Sequence, residues 1–265
     1  MSPGRAASRS SAGRARSAAG VRIGAHRGGA RLRPENSLGA FRDALALGVD
    51  LLEADIHLTA DGEPVVLHDP TLERTTTGVG PVADARLADL GRVRLRTPDG
   101  PTDEPVPTLA DLLALLAPAS AGLLLEIKVG SKGRRYRDIE AKALACVRAR
   151  SVMARTTIMA FEPDTLSRVR ELTPGIATIL LVGRRQTVSP VAAPALARAF
   201  GAGGLGIDYR LLDAAVIASA RQAGVSVAAW TVNEEAAMRR LIDLGVDTII
   251  TDRPDIALAL LRRRG

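Results

Sequence analysis

The chain is short of rings, thiols and imidazoles: one Trp, two Tyr, three Phe, one Cys and three His among 265 residues. A surface that grips a bilayer combines aromatic and apolar side chains, and 2% aromatic residues leave little to build one from. The single cysteine, Cys146, excludes a disulfide framework and a Cys-rich zinc site, and points to a reducing compartment. No run of about 18 apolar residues occurs, so no transmembrane helix is expected. The first twenty residues, MSPGRAASRSSAGRARSAAG, lack the apolar stretch that a secretory or twin-arginine signal requires. Together these absences predict a soluble, cytoplasmic protein.

That first segment also lacks acid. It holds Arg5, Arg9, Arg14 and Arg16, four of the seven excess positive charges, and Arg262, Arg263 and Arg264 hold the other three. The body between is therefore about neutral, and the high pI belongs to the ends. Residues 1–20 read as a disordered basic tail, and no nucleic-acid partner is expected. Residues 21–265, of ordinary globular composition, are enough for one α/β barrel of about 250 residues.

Hydrophobic periodicity gives the architecture. Strand-like runs RIGAHRG, LLEADIHLT, GLLLEIKV, TTIMAF, ATILLV, GLGIDY, VSVAAWTV and DTIITD alternate with amphipathic helical stretches from SLGAFRDALALG to DIALALLRRR. Eight strands, each followed by a helix, predict a closed parallel TIM (β/α)8 barrel. An open dinucleotide-binding sheet is disfavoured because no GxGxxG follows a strand. One segment breaks the rhythm, about fifty residues rich in Gly, Pro, Asp and Thr after the second strand. An insertion over about residues 70–107 is expected there, above the C-terminal face where barrel active sites are built.

The charged residues fall at strand ends. Glu53 and Asp55 are spaced i, i+2 and share a face of the second strand, as do Glu126 and Lys128 on the third. His26 and Arg27 end the first strand, and His68 follows the second. Charges at the ends of otherwise apolar strands are costly unless paired or bound to an ion. Three carboxylates without sulfur suit a hard divalent cation, Mg²⁺ or Ca²⁺, better than zinc. Two imidazoles beside such a cation suit acid–base cleavage of a phosphate ester. Arg27 and Lys128 are fitted to phosphate oxygens, one as a planar fork and one as a point charge. Salt bridging of Glu53 and Asp55 to these cations is the competing structural reading. His57 reads equally as a site residue or an exposed one, and Trp230 equally as a wall of the site or a core aromatic.

The ordered motifs carry a resemblance: HRG at His26, PEN at Pro34–Asn36, ExD at Glu53 and Asp55, DGEPVVLHD through Asp69, RTTTG at Arg74, LEIK at Glu126, AWTVN and GVDTIITDRPD. From Ile23 to Asp255 the chain resembles the glycerophosphodiester phosphodiesterase family. The resemblance implies a TIM barrel with a small insertion after strand two. It also implies a divalent metal, and hydrolysis of glycerophosphodiesters to glycerol 3-phosphate and an alcohol. In its terms His26 and His68 are the general acid and base, and Glu53, Asp55 and Glu126 the metal ligands. Arg27 and Lys128 hold phosphate, and Glu35 supports the site. Ser37 stands where many relatives carry Thr and keeps the N-cap hydroxyl. Two alternatives remain open at this point: lysophospholipase D-type hydrolysis of lysophospholipids on the same site, and a noncatalytic phosphate-binding or nucleic-acid-associated protein using its basic tails.

Overall fold

The computed structural model describes residues 20–263. The basic tail expected over residues 1–20 lies, apart from Gly20, outside them. Strands β1 (Arg22–Ala25) and β2 (Leu51–Leu58) come first, followed by a short β3 (Pro64–Val66) and a hairpin of β4 (Arg94–Thr97) and β5 (Gly100–Pro105). Then come β6 (Gly122–Ile127), β7 (Thr156–Ala160), β8 (Ala177–Val182), β9 (Gly204–Asp208), β10 (Ser226–Trp230) and β11 (Thr248–Thr251). Eight of these, β1, β2 and β6 to β11, form a parallel ring that closes because β1 pairs with both β11 and β2. Each matches one of the eight runs read from the sequence, so the fold is the (β/α)8 barrel expected.

The helices are α1 (Leu38–Leu47), a single turn α2 (Leu87–Leu90), α3 (Leu109–Leu116), α4 (Ile139–Ala149), α5 (Pro163–Leu172), α6 (Ala193–Ala199), α7 (Ala214–Ala223), α8 (Glu235–Leu244) and α9 (Pro254–Arg262). Their starts are set locally. Ser37 Oγ accepts from Ala40 N ahead of α1, Thr108 and Asp111 form a reciprocal capping box at α3, and Asp213 caps α7.

Strand alternation sorts side chains into two layers. Leu52, Ala54 and Ile56 of β2, with Leu123, Leu125 and Ile127 of β6, join the large core between ring and helices. The intervening residues point into the barrel, where Leu51, Leu124, Met159, Ile179, Leu181, Ala228 and Ile250 form a smaller plug. Glu53 and Asp55 follow Leu51 at two-residue steps, and Glu126 follows Leu124. The apolar plug therefore fills the lower barrel and the carboxylates sit above it, at the C-terminal end.

Between β2 and α3 the chain leaves the ring. β3 folds back antiparallel on β2 across a tight turn at Asp61–Gly62, where Gly62 takes φ +80°. Val65, Leu67, Leu72, Val82, Leu90, Leu95 and Val106 give this excursion a small core of its own. The hairpin of β4 and β5 was not read from the sequence. Its pattern alternates only between half-buried and exposed residues over most of its length, and Pro101 and Pro105 weaken any strand signal.

Candidate active site

The site is built from the residues that leave the barrel at its C-terminal rim. β1 ends at Ala25, so His26 and Arg27 lie not in the strand but in a single 3-10 turn, His26–Gly28, just beyond it. Arg27 takes φ +50° and Gly28 φ +82°. A Cβ at Gly28 would lie 2.7 Å from that of Ala40, so the turn presses on α1 where only glycine fits. The reversal aims the Arg27 backbone N–H at Glu53 Oε2, 2.8 Å away, and places its guanidinium 2.9 Å from Glu35 Oε1 and 3.3 Å from Asp55 Oδ2.

Glu53, Asp55 and Glu126 are all buried, and one oxygen from each lies within 4.8 Å of the others. Burial, reinforced by Asp55 and Glu126, pushes the Glu53 carboxyl well up. Burial likewise raises Glu126 to about 7, with Lys128 opposing and Asp55 adding to the rise. Asp55 takes the other direction. Burial works against its charge, but Lys128 and Arg27 outweigh it and hold the carboxyl below the usual range. Lys128 Nζ donates to Glu126 Oε1 at 2.6 Å and stands 3.4 Å from Asp55 Oδ1. Asp55 Oδ2 accepts from Asn36 Nδ2 at 3.0 Å, whereas the buried Oδ1 accepts no hydrogen bond among the described residues. Three crowded carboxylates and an oxygen without a donor are what a divalent cation would relieve. The all-oxygen donor set fits a hard one.

Both imidazoles are oriented by carboxylates. His26 Nδ1 lies 2.6 Å from Asp252 Oδ1, and His68 Nδ1 lies 2.6 Å from Asp69 Oδ1. An ionised carboxylate only accepts, so each Nδ1 carries the proton and each Nε2 is left for chemistry. Asp252 is itself fixed by Asn233, whose Nδ2 donates to Oδ2 at 2.7 Å while its Oδ1 accepts from Asp252 N at 3.0 Å. Burial, with Lys128 and Arg27 adding their repulsion, lowers His68 to about 4, so its ring is neutral near pH 7.

Further residues complete the surroundings. Arg74, from the excursion, makes paired bonds of 2.8 Å to both oxygens of Glu35 and also donates to both oxygens of Asp69. It thereby ties the partner of Arg27 to the partner of His68. His57 is buried, not exposed. Its Nε2 lies 3.0 Å from the His68 carbonyl oxygen, which only accepts, so Nδ1 must accept from the Tyr136 hydroxyl at 2.8 Å. Trp230 ends β10, packs edge-on to Phe161 at 5.8 Å, and lines the cavity as well. Asn36, Asp69, Arg74, Asn233 and Asp252 were given no role from sequence, although all lie within the quoted motifs.

The cavity has two parts. A narrow inner part of about 90 Å³ is lined by His26, Arg27, Glu53, His68, Glu126, Lys128 and apolar side chains that include Met159 and Leu181. A wide outer groove of about 730 Å³ shares His68, Glu126, Lys128 and Trp230, and runs out past Lys132, Glu162, Arg184, Arg185, Gln186 and Asp208.

A closed (β/α)8 barrel whose ionisable groups gather at the C-terminal ends of its strands is the arrangement of a barrel enzyme. Residues 26–256 match the glycerophosphoryl diester phosphodiesterase family, and the chain belongs to that family as a phosphoric diester hydrolase. It is 32% identical over 243 residues to a glycerophosphodiester phosphodiesterase of Caldanaerobacter subterraneus, covering 91% of this chain and 98% of the relative. A crystal structure from Agrobacterium tumefaciens, assigned to the glycerophosphoryl diester phosphodiesterases, superposes with a TM-score of 0.87 at 30% identity. That match covers 93% of this chain and 99% of the other. An Oleispira antarctica phosphodiesterase, solved with its product sn-glycerol-3-phosphate, superposes with a TM-score of 0.77 at 26% identity, covering 91% and 96%.

Proposed function

We propose that the protein hydrolyses glycerophosphodiesters to glycerol 3-phosphate and an alcohol, with a divalent cation, Mg²⁺ or Ca²⁺, held by Glu53, Asp55 and Glu126. The observation that carries this reading is that both carboxylate-oriented imidazoles, His26 and His68, line one small cavity with Glu53 and Glu126, two members of the carboxylate trio that Asp55 completes. A cation bound there supplies positive charge to the phosphoryl group. Arg27 and Lys128 add fixed positive charge and hold the phosphate oxygens. His68, neutral at physiological pH, takes at Nε2 the proton of the nucleophile, either water or the glycerol 2-hydroxyl, the second route giving a cyclic phosphate that water then opens. His26, acting in its doubly protonated form with Nδ1–H on Asp252, delivers a proton from Nε2 to the departing alkoxide. Glu35 keeps the Arg27 fork in place, and Trp230 walls the cavity.

The groove favours water-soluble substrates over lysophospholipids. Lys132, Arg184, Arg185 and Gln186 line it beside Pro70, Val129, Phe161 and Trp230, and these four polar side chains suit a hydrated alcohol. Among the described residues no helix is long and apolar enough to cross a membrane. A cytoplasmic location belongs to the same proposal, supported by the single half-buried thiol of Cys146. The test follows glycerol 3-phosphate release from several glycerophosphodiesters with and without chelator. Activity is expected to vanish on chelation and to return with Mg²⁺ or Ca²⁺. Chelation without effect, or a loss that no divalent ion restores, would refute the ligand set.

A further inference from the structure

The substrate has two ends, and the cavity treats them differently. The inner part, about 90 Å³, admits one small group of fixed size. The outer groove, about 730 Å³, is where the end that varies among glycerophosphodiesters has room. The charge of the groove therefore bears on which alcohol is released.

Two cations in that groove are uncommitted. Lys132, in the turn Ser131–Gly133 after β6, and Arg185, in the loop after β8, make no side-chain hydrogen bond or ion pair among the described residues. Of the groove's other two cations, Lys128 is bonded to Glu126, and Arg184 is engaged by the buried Asp208 at 3.2 Å, with Arg210 approaching the same carboxylate at 3.5 Å. Asp208 is thus balanced within the protein. Glu162, a further acid of the groove, has its carboxyl raised by partial burial. Gln186 turns its Oε1 to the Gly183 N–H at 2.8 Å, which leaves its amide N–H groups to donate outward. Among the described residues the groove thus sets two unpaired cations and the Gln186 amide donors against one carboxylate without an ion-pair partner, Glu162.

Lys132 also stands where its residue type is costly. Its φ of 61° and ψ of 24° lie in the left-handed region that glycine adopts without strain. Strain at a site-lining residue is a pointer to use. The aromatic rings of the groove are Phe161 and Trp230, already packed edge-on against each other at its inner end. That is a poor cage for a quaternary ammonium, which needs ring faces turned toward it.

From this arrangement we infer that Lys132 and Arg185 select glycerophosphodiesters whose alcohol carries a second anionic group, such as a phosphate, over those with a cationic alcohol. The inference rests on the hydrolytic reading above and specifies the substrate class for it.

The test compares kcat/KM for glycerophosphoinositol 4-phosphate, glycerophosphoinositol and glycerophosphocholine with the metal-loaded enzyme at low ionic strength. The first is expected to exceed the second by about tenfold, the scale of two solvent-exposed charge contacts. The choline ester is expected to be the poorest, and added salt to shrink the spread. In a Lys132→Gln/Arg185→Gln variant the ratio of the two inositol substrates is expected to fall to near unity. Lys132→Gly alone is expected to lower the ratio without lowering the thermal midpoint, because glycine relieves the left-handed strain; a purely structural role for Lys132 predicts the reverse. Hydrolysis of all three with a ratio near one, a preference for choline, or a ratio that survives the double substitution overturns the inference alone. Hydrolysis of none overturns the function on which it rests as well.

Discussion

Asp55 and Glu126 are register partners on neighbouring barrel strands, and one lysine, Lys128, serves both. Their carboxyls are nevertheless pushed in opposite directions, Asp55 down and Glu126 up to about 7. Two cations do not neutralise three buried acids, so the burial cost falls on the members with the weaker partners.

A pH-dependent stability follows for the metal-free protein. A carboxyl raised in the folded state stabilises the fold fully below its unfolded pKa, near 4.5, and that contribution is lost as pH rises through the folded value near 7. Glu53, also raised, adds in the same sense. The stability of chelated protein is therefore expected to fall between about pH 6.5 and pH 8 by an amount on the order of 1–3 kcal/mol, a window above the ordinary histidine value of 6.5, where the depressed His57 and His68 no longer oppose the trend. A divalent cation is expected to raise it more at pH 8 than at pH 6.5. Scanning calorimetry at both pH values, with and without cation, checks this; equal gains at both would contradict it.

On the proposed roles of His26 as proton carrier and Glu126 as ligand, removing either side chain should cut turnover steeply without unfolding the barrel. His26→Ala and Glu126→Ala are each expected to lower kcat by about 10²–10⁴. Far-UV circular dichroism is expected to stay unchanged. Either variant retaining near-normal turnover would remove its residue from the chemistry.

The bridge made by Arg74 is expected to matter through geometry. Arg74→Lys keeps the charge but not the fork that spans Glu35 and Asp69, so it should fail to rescue the loss seen in Arg74→Ala, about 10–100-fold in kcat/KM. Rescue by lysine would mean that charge alone suffices.

Asp69 has a distinct signature. Its hydrogen bond raises the His68 pKa against burial, the larger effect. Asp69→Asn should therefore shift the acid limb of the kcat/KM profile to lower pH while the plateau falls. A limb that moves upward in a pH–rate titration would show that His68 is not the group titrating.

Tyr136→Phe deletes the donor to His57 Nδ1 and leaves a buried ring nitrogen unpaired. The cost is expected to be about 1–3 kcal/mol in urea unfolding. A midpoint that does not move would mean that water replaces the hydroxyl.

The eight ring strands were legible because each is a compact apolar run, and on β2 and β6 charges at two-residue spacing break the run on one face only. The hairpin of β4 and β5 was not, since neither of its faces is uniformly buried. The nine site residues named from sequence all carry recognisable chemistry at strand ends or in motifs. Asp252 and Asn233 escaped because nothing local marks an aspartate as the partner of a histidine 226 residues away. Closure of the ring between β1 and β11 creates that contact, and no periodicity reports it. Arg74 escaped for a similar reason: its partners come from either side of β2, and only the folded excursion brings them together.

That closure also joins the two ends of the ring in chain order. His26 follows the first strand, and the carboxylate that fixes its tautomer, Asp252, follows the last. Until β11 docks beside β1, the imidazole has no acceptor at Nδ1 and the pore has an open seam. A chain cut short before Asp252 would keep Glu53, Asp55, Glu126 and His68 in its sequence but lose the acceptor that orients the His26 ring. Shutting the barrel and fixing that ring are thus a single event.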